Sequence, residues 1–268
     1  MSPPAPTRAQ RAVLITETLL VLGVSLGASA VYAVLSLIRK LTAQVALNQQ
    51  TTAMNSAVTP DRPWLDLAYQ LAGVGLGVIP ALLAIHLLRR YAAPADGTAG
   101  AGIGAYAGAG IGADLRRPAY DLGTGVLLAA AVGVPGLGLY LAARALGLNT
   151  SIAAANLSAV WWAVPVLVLA AIQNAILEEV VMVGYLFTRW GQAGWRPAVV
   201  IGVSALLRGA YHLYQGFGGF VGNIAMGVLF GLVYRRTGRI GPLVVAHALL
   251  DVVAFVGYAL LRGRVGWL

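Results

Sequence analysis

The sequence predicts an all-α membrane protein, a polytopic bundle of seven or eight transmembrane helices. Of its 268 residues, 59% are hydrophobic and 10% are charged, and the mean hydropathy is +0.79. A soluble domain carries about 25% charged residues, because its surface must face water. The composition therefore excludes a single soluble domain, and it also excludes intrinsic disorder, which needs low hydrophobicity and high charge. At about 20 apolar residues per span, the length leaves no room for a sizeable soluble domain.

The apolar runs set the order of the helices. Polar residues 39–63 separate the first two runs, and residues 92–121, which include the tract GAGIGAYAGAGIGA, separate the second from the third. Glycine at that density destabilises a helix by about 1 kcal/mol per residue, so we expect a linker there, lying on the membrane interface or packed as an extra segment. The seven runs are 12–38, 67–88, 122–146, 158–187, 197–215, 219–234 and 241–261.

The basic residues predict the orientation. Cytoplasmic loops carry an excess of Lys and Arg, and alternate loops divide these residues eleven to six, with Arg208 inside a run. We expect a multi-pass protein of the cell membrane with a cytoplasmic N-terminus, whose net charge of +9 reflects topology and not nucleic-acid binding. The eleven are Arg8, Arg11, Arg89, Arg90, Arg116, Arg117, Arg189, Arg196, Arg235, Arg236 and Arg239; the six are Arg39, Lys40, Arg62, Arg144, Arg262 and Arg264.

Six ionisable residues stand out because they fall well inside apolar runs in the last three-fifths of the chain. An ionisable group at mid-membrane costs about 2.5–3.5 kcal/mol on insertion scales and marks a functional site by default. The first three apolar runs contain no comparable set of ionisable residues. The six candidate site residues are Glu178, Glu179, Arg208, His212, His247 and Asp251.

Helical spacing groups these residues. Arg208 and His212 are four residues apart, as are His247 and Asp251, and residues four apart share one face of a helix. Lipid cannot satisfy such faces. We therefore expect them to converge with the face of Glu178 on a polar cavity.

The adjacent carboxylates Glu178 and Glu179 are expected to differ in role. Neighbouring side chains on a helix point about 100° apart, so only one of the two can face the cavity directly. Asn174 lies one turn before Glu178 and shares its face, which favours Glu178 as the inward carboxylate. A buried glutamate near a second carboxylate is a workable general base at neutral pH.

The available groups limit the chemistry. The chain has no cysteine, which excludes a thiolate nucleophile and Cys-type zinc sites, and no serine or threonine occurs in a nucleophile-elbow pattern. Two carboxylates, two imidazoles and a guanidinium can activate water and stabilise the oxyanion of amide hydrolysis. Glu178, His212 and His247 are also a ligand set for zinc with a bound water, although the HExxH spacing is absent. We favour no cofactor, because the histidines come from helices at different depths.

These motifs resemble those of the CAAX protease and bacteriocin-processing (CPBP) family of intramembrane proteases. That family, which includes the prenyl-protein endopeptidase that removes the last three residues of CAAX proteins, shows Glu-Glu-x-x-x-Arg, Phe-x-x-x-His and His-x-x-x-Asn/Asp on successive helical regions. This chain has Glu178-Glu179, His212, and His247 with Asp251 in that order. The resemblance implies an all-α membrane endopeptidase in which one glutamate activates water and the histidines assist.

Two positions depart from the family pattern. Val183 occupies the arginine place of the first motif, and Arg208 occupies the phenylalanine place of the second. We interpret this as relocation of the guanidinium to the neighbouring helix, where it pairs with a carboxylate, because an unused arginine at that depth would be costly. By helical rise, His212 lies about 20 Å and His247 about 9 Å from the inner ends of their helices. A kinked or displaced helix must reconcile these depths.

The leading prediction is an intramembrane endopeptidase acting on a peptide or membrane-protein substrate in the lipid bilayer. Residues 1–121 would form N-terminal transmembrane helices and residues 122–268 the CPBP-like catalytic core, with Asp251 orienting His247. A non-catalytic relative that binds membrane proteins and a proton-coupled transporter remain alternatives. The sequence leaves open whether five further polar residues belong to the site or only join helices by hydrogen bonds: Asn174, Tyr211, Tyr214, Gln215 and Asn223.

Overall fold

The computed structural model describes residues 7–90 and 110–265, which form an all-α bundle and confirm the predicted fold class. Most of the Gly/Ala tract, with the linker predicted there, lies outside the described residues. The α-helices are α1 Arg8–Gly23, α2 Leu26–Leu41, α3 Pro63–Gly77, α4 Ile79–Arg90, α5 Pro118–Ala145, α6 Ala163–Glu178, α7 Leu186–Gln192, α8 Pro197–Ala210, α9 Phe217–Thr237 and α10 Gly241–Leu261.

Each apolar run coincides with helix, but the runs differ in their ability to span a membrane. Within residues 7–90 and 110–265, α1 and α2 are bent by 54° and form one span only as a pair. Helix α8 has 14 residues, about 21 Å of helix, against a hydrocarbon core of about 30 Å. The run 197–215 is therefore not one spanning helix. Five segments are long and apolar enough to cross alone: Pro63–Arg90, Pro118–Ala145, Ala163–Gln192, Phe217–Thr237 and Gly241–Leu261.

Loops that are far apart in sequence meet at one end of the bundle, which we call the strand end. Strand β1, Thr51–Ala53, pairs in parallel with β2, Ser151–Ala153. A 3₁₀ turn, Leu213–Gln215, joins α8 to α9 beside them, and Asn149 bridges to Gly216 in that connection. The strand end thus ties the α2–α3, α5–α6 and α8–α9 connections together.

The opposite end is closed by an arginine in the connection from α9 to α10. Arg239 donates from Nε and Nη2 to the two carboxylate oxygens of Asp121, at 2.9 and 2.7 Å, and from Nη2 to Asp114 at 3.1 Å. Ile111, at the end of the Gly/Ala tract, is fully buried, and its carbonyl accepts from the Ile240 backbone N–H at 3.1 Å. The segment just before α5 is therefore packed into the bundle.

Candidate active site

The two glutamates lie where α6 changes into a π-helical segment, Glu179–Tyr185, all of whose residues are buried. β-Branched valines and a glycine within this segment have weak α-helix propensity, and π turns often occur at functional sites. Ser204 of α8 donates to the carbonyl oxygen of Met182 at 2.7 Å and satisfies a backbone acceptor of the turn. Glu178 and Glu179 both keep right-handed helical backbone angles, but Arg208 and His247 lie within 3.9 Å of both carboxylates, so Glu179 also belongs to the site.

Glu179 is completely buried, and both of its carboxylate oxygens are bound. Arg208 Nη2 lies 2.8 Å from Oε1 and donates to Oε2 at 2.9 Å. His247 Nδ1 lies 2.7 Å from Oε1. A buried carboxylate needs such partners, because unpaired burial of its charge costs several kcal/mol.

Arg208 extends from α8 into the same cluster and is itself fully buried. Its Nη1 lies 3.5 Å from Glu178 Oε2, and its guanidinium carbon lies 5.7 Å from the centroid of the Phe230 ring. Val183, at the motif's arginine place, packs in an apolar cluster that includes Phe230. The guanidinium thus reaches the site from α8, the helix next to the one on which the family motif places it.

Glu178 is held differently from Glu179. The hydroxyl of Tyr211 donates to Glu178 Oε2 at 2.6 Å, and His247 Nε2 lies 3.9 Å from the same oxygen. Among the described residues, no hydrogen bond reaches Oε1. The side chain keeps 11% of its surface exposed, whereas that of Glu179 keeps none.

His212 lies beyond the end of α8, in the turn that leads to α9. Its Nδ1 is 2.9 Å from the carbonyl oxygen of Arg208, and since a carbonyl only accepts, Nδ1 carries the proton and Nε2 remains available. The ring centroid lies 4.8 Å from that of Tyr211 and 6.3 Å from that of Tyr214. The depth predicted for a continuous helix therefore does not apply to this residue.

His247 and Asp251 share a face of α10, as their spacing predicts, and their side chains lie within ion-pair distance of each other. His247 Nδ1 contacts Glu179, while Asp251 Oδ1 is 3.9 Å from Nε2. Glu179 thus makes the shorter contact with the His247 ring, and an orienting role for Asp251 at the opposite ring nitrogen stays a prediction. Asn174 donates to Asp251 Oδ2 at 3.4 Å.

All six sequence-predicted site residues thus lie in one connected cluster, but two features escaped the sequence reasoning. Tyr211 was left undecided, and only its position beside His212 connected it with the site. A second buried ion pair was missed altogether: Arg189 Nε donates to Glu17 Oε1 at 2.7 Å, and Tyr185 donates to the same oxygen at 2.8 Å. The sequence predicts a loop at Arg189, just after the run 158–187, but the structure places it in the last turn of α7, inside the apolar segment Ala163–Gln192.

The geometry of the cluster bears on whether Glu178, His212 and His247 could bind zinc. In the part of the chain that the structure describes, no group of three His, Cys, Asp or Glu residues has an arrangement that could hold a metal ion. The guanidinium of Arg208, 3.5 Å from Glu178, also places a positive charge beside a required ligand. Whether activity needs a metal stays a prediction.

A buried cluster of carboxylates, histidines and arginine inside a membrane-type helical bundle marks a functional site. Residues 160–253 match the family model of Rce1-like proteins, the type II CAAX prenyl endopeptidases. The match covers about a third of the chain, includes all six site residues, and confirms the resemblance to the CAAX protease family. This similarity supports an endopeptidase of the CAAX protease type, and the apolar helices support a multi-pass membrane protein. No curated protein and no solved structure matches the chain.

Proposed function

We propose that this protein is an intramembrane endopeptidase in which Glu178 activates the attacking water. The observation that carries this assignment is the unequal state of the two carboxylates. Both oxygens of Glu179 are bound by Arg208 and His247, whereas the described contacts of Glu178 all involve Oε2. Oε1 of Glu178 is therefore the carboxylate oxygen available to a water.

Tyr211 and Arg208 prepare Glu178 for this role. The Tyr211 hydroxyl holds Oε2 at 2.6 Å and fixes the plane of the carboxylate. Arg208 lies 3.5 Å away and compensates the charge of a carboxylate that the membrane would otherwise disfavour. A held base loses less freedom when it meets the water, which lowers the entropic part of the barrier.

The reaction conserves atoms and protons without a cofactor. Glu178 accepts a proton from water as the water oxygen bonds to the scissile carbonyl carbon, and the carbonyl oxygen becomes an oxyanion. When the intermediate collapses, the C–N bond breaks and the proton on Glu178 passes to the leaving nitrogen. The products are a carboxylic acid and an amine, and Glu178 returns to its starting state.

The histidines are assigned to the oxyanion. Glu179 holds His247 through Nδ1, so Nε2 faces the space between Glu178 and Asp251. The Arg208 carbonyl holds the His212 ring in the same way through Nδ1. With Nδ1 already carrying a proton, Nε2 is a donor in the imidazolium form, and in that form it donates to the developing charge, a contribution worth about 10²–10³ in kcat for one donor of this kind.

The substrate is a peptide or a membrane-protein segment that reaches the site from the bilayer, and the N-terminus of the enzyme is cytoplasmic. The excess of basic residues on the N-terminal side supports this orientation. No metal is required, because the proposed steps need only a base, a held water and oxyanion donors.

Cleavage of a peptide library by the purified protein in detergent tests the proposal, with and without a chelator, beside Glu178→Gln. We expect chelator-resistant cleavage that Glu178→Gln abolishes. Stoichiometric metal with chelator-sensitive cleavage would replace the glutamate mechanism by a zinc one. Peptide binding without cleavage would point to a non-catalytic relative, and proton flux in liposomes without cleavage would point to a transporter.

A further inference from the structure

A buried lysine lies at the strand end, outside the site already described. Lys40, in the last turn of α2, keeps only 7% of its surface exposed. Its Nζ donates to the hydroxyl of Thr52 and to the carbonyl oxygen of Tyr214. No carboxylate among the described residues forms an ion pair with it. A buried ammonium without an anion must be held by dipoles, and here these are a hydroxyl of β1 and a carbonyl of the turn between α8 and α9.

Two buried threonines complete this group, which we call the Lys40 cluster: Lys40, Thr52 and Thr150. The two threonine hydroxyls lie 2.6 Å apart. Thr150 donates to the carbonyl oxygen of Gln215 from its hydroxyl at 2.9 Å and from its backbone N–H at 3.0 Å. Segments before α3 and before α6 thus bind two successive carbonyls of one turn.

Those carbonyls need partners for a physical reason. They belong to the 3₁₀ turn that follows α8. The last carbonyl groups of a helical segment have no N–H donor within that segment. The chain changes direction at Gly216, whose φ is 119°. The carbonyls of Tyr214 and Gln215 therefore accept hydrogen bonds from Lys40 and Thr150 instead of from the N–H groups of α9. A cation there also interacts favourably with the negative end of the helical dipole.

The same turn carries His212. Its ring is bound to the Arg208 carbonyl at 2.9 Å and lies nearly parallel to the ring of Tyr214, with an angle of 22° between their planes. A change in the backbone at Tyr214 therefore moves the surface against which His212 packs. Lys40, Thr52 and Thr150 all precede the family-matched residues 160–253.

We propose that Lys40 is a positioning residue that holds the turn of His212 and so sets the direction of its Nε2. The consequence for catalysis rests on the proposed function, but the consequence for the His212 ring does not. The N-terminal part of the chain then contributes directly to the geometry of the site.

Histidine-ring NMR tests the positioning role without requiring activity. The chain has three histidines, so a sample with ¹⁵N-labelled histidine in detergent gives few signals, and His212→Gln identifies those of His212. In the wild type we expect a single Nδ1–H tautomer, held by the Arg208 carbonyl. In Lys40→Met we expect signals that average both tautomers, because the turn is no longer held.

Kinetics supply the second measurement. Lys40→Met should lower kcat about 10-fold to 100-fold, the loss expected for a misplacement of about 1 Å. KM should stay near the wild-type value, because the Lys40 cluster contacts the turn and not the site carboxylates. Arg39→Met is the matched control: it removes a neighbouring, exposed cation from the same helix end and should leave both measurements unchanged.

Thr52→Val keeps the proposal falsifiable if Lys40→Met does not fold. It removes one hydroxyl of the cluster while keeping side-chain shape, and it should shift the His212 tautomer in the same direction by a smaller amount. Unchanged ring signals in a folded Lys40→Met or Thr52→Val protein would overturn the proposal. If the wild type cleaves no peptide, the proposed function fails, while the ring signals still decide the role of Lys40.

Discussion

Two buried arginines, Arg208 and Arg189, show what separates a reactive cluster from a structural one. Both are fully buried, and each binds a carboxylate at 2.7–2.9 Å. Around Arg189, the carboxylate of Glu17, the amide oxygen of Gln192 and the carbonyl of Leu87 accept from Nε, Nη1 and Nη2 respectively. Every nitrogen of that guanidinium is bound.

The guanidinium of Arg208, in contrast, does not have all of its nitrogens hydrogen-bonded. Its Nε and Nη1 make no hydrogen bond among the described residues, and a second carboxylate, Glu178, lies 3.5 Å from Nη1. Two histidines with available Nε2 positions adjoin the same cluster. The fully satisfied ion pair of Arg189 joins helices. The unused donors of Arg208 and the partly bound carboxylate of Glu178 can instead form hydrogen bonds with a substrate.

Neutralising one glutamate at a time should give the largest effects. Glu178→Gln should reduce kcat by about 10²–10⁴-fold with little change in melting temperature, because Tyr211 can still donate to the amide oxygen. Glu179→Gln should lower the melting temperature as well, because the buried Arg208 loses the nearer of its two carboxylates and keeps only Glu178 at 3.5 Å. Peptide cleavage and thermal unfolding in detergent measure both effects. Equal residual activity and equal stability in the two variants would contradict a single general base.

Arg208→Met should abolish activity and lower stability, because Glu179 would be a buried carboxylate without its cation, at a cost of about 3–5 kcal/mol. The double variant Arg208→Met with Val183→Arg returns a guanidinium to the motif's own place and should recover part of both. Folding yield, melting temperature and cleavage rate are the measurements. Near wild-type behaviour of Arg208→Met would show that the guanidinium is not part of the site.

The structural pair should respond differently. Glu17→Gln should lower the melting temperature, because a neutral amide replaces the carboxylate that accepts from Nε of the buried Arg189 guanidinium. The cleavage rate per folded molecule should remain near that of the wild type, since Glu17 does not contact the site. A large loss of kcat in folded Glu17→Gln would remove the proposed distinction between the two clusters.

A smaller change refines the role of Glu178. Tyr211→Phe removes one hydroxyl, and loss of a hydrogen bond to a charged acceptor is worth about 1.5–3 kcal/mol. We expect kcat to fall about 10-fold to 100-fold with the fold intact, because the carboxylate is still present but less well oriented. Tyr214→Phe is the matched control, since the hydroxyl of Tyr214 contacts Met54 and Gln215 instead of a site carboxylate.

The smallest effect is expected outside the membrane, at the Arg239 end. The backbone N–H of Arg116 and the guanidinium of Arg239 lower the pKa of Asp114 below its usual value. A carboxyl whose pKa is depressed by folding stabilises the protein above its unfolded pKa of about 3.9 and loses that contribution as the pH falls through its folded pKa. Asp114→Asn should therefore melt slightly below the wild type at pH 7, and the difference should shrink as the pH falls through the folded pKa of Asp114. A pH-independent difference would contradict this contribution.

Composition and spacing alone determined much of this protein. The scarcity of charge required a membrane bundle, and the cost of ionisable groups in lipid identified Glu178, Glu179, Arg208, His212, His247 and Asp251 before any contact was known. That cost depends only on the residue type and on the apolar residues next to it in the sequence, so the sequence alone reveals it.

Only the tertiary structure decided how these groups are paired. Helical periodicity turns Glu179 away from Glu178, but Arg208 and His247 contact both carboxylates. A continuous helix would place His212 far from His247, but α8 ends at Ala210. The contacts of Tyr211 with Glu178 and of Lys40 with the carbonyl of Tyr214 join residues 33 and 174 positions apart. Sequence periodicity describes directions within one regular helix, whereas these contacts depend on local departures from regularity and on packing between distant segments.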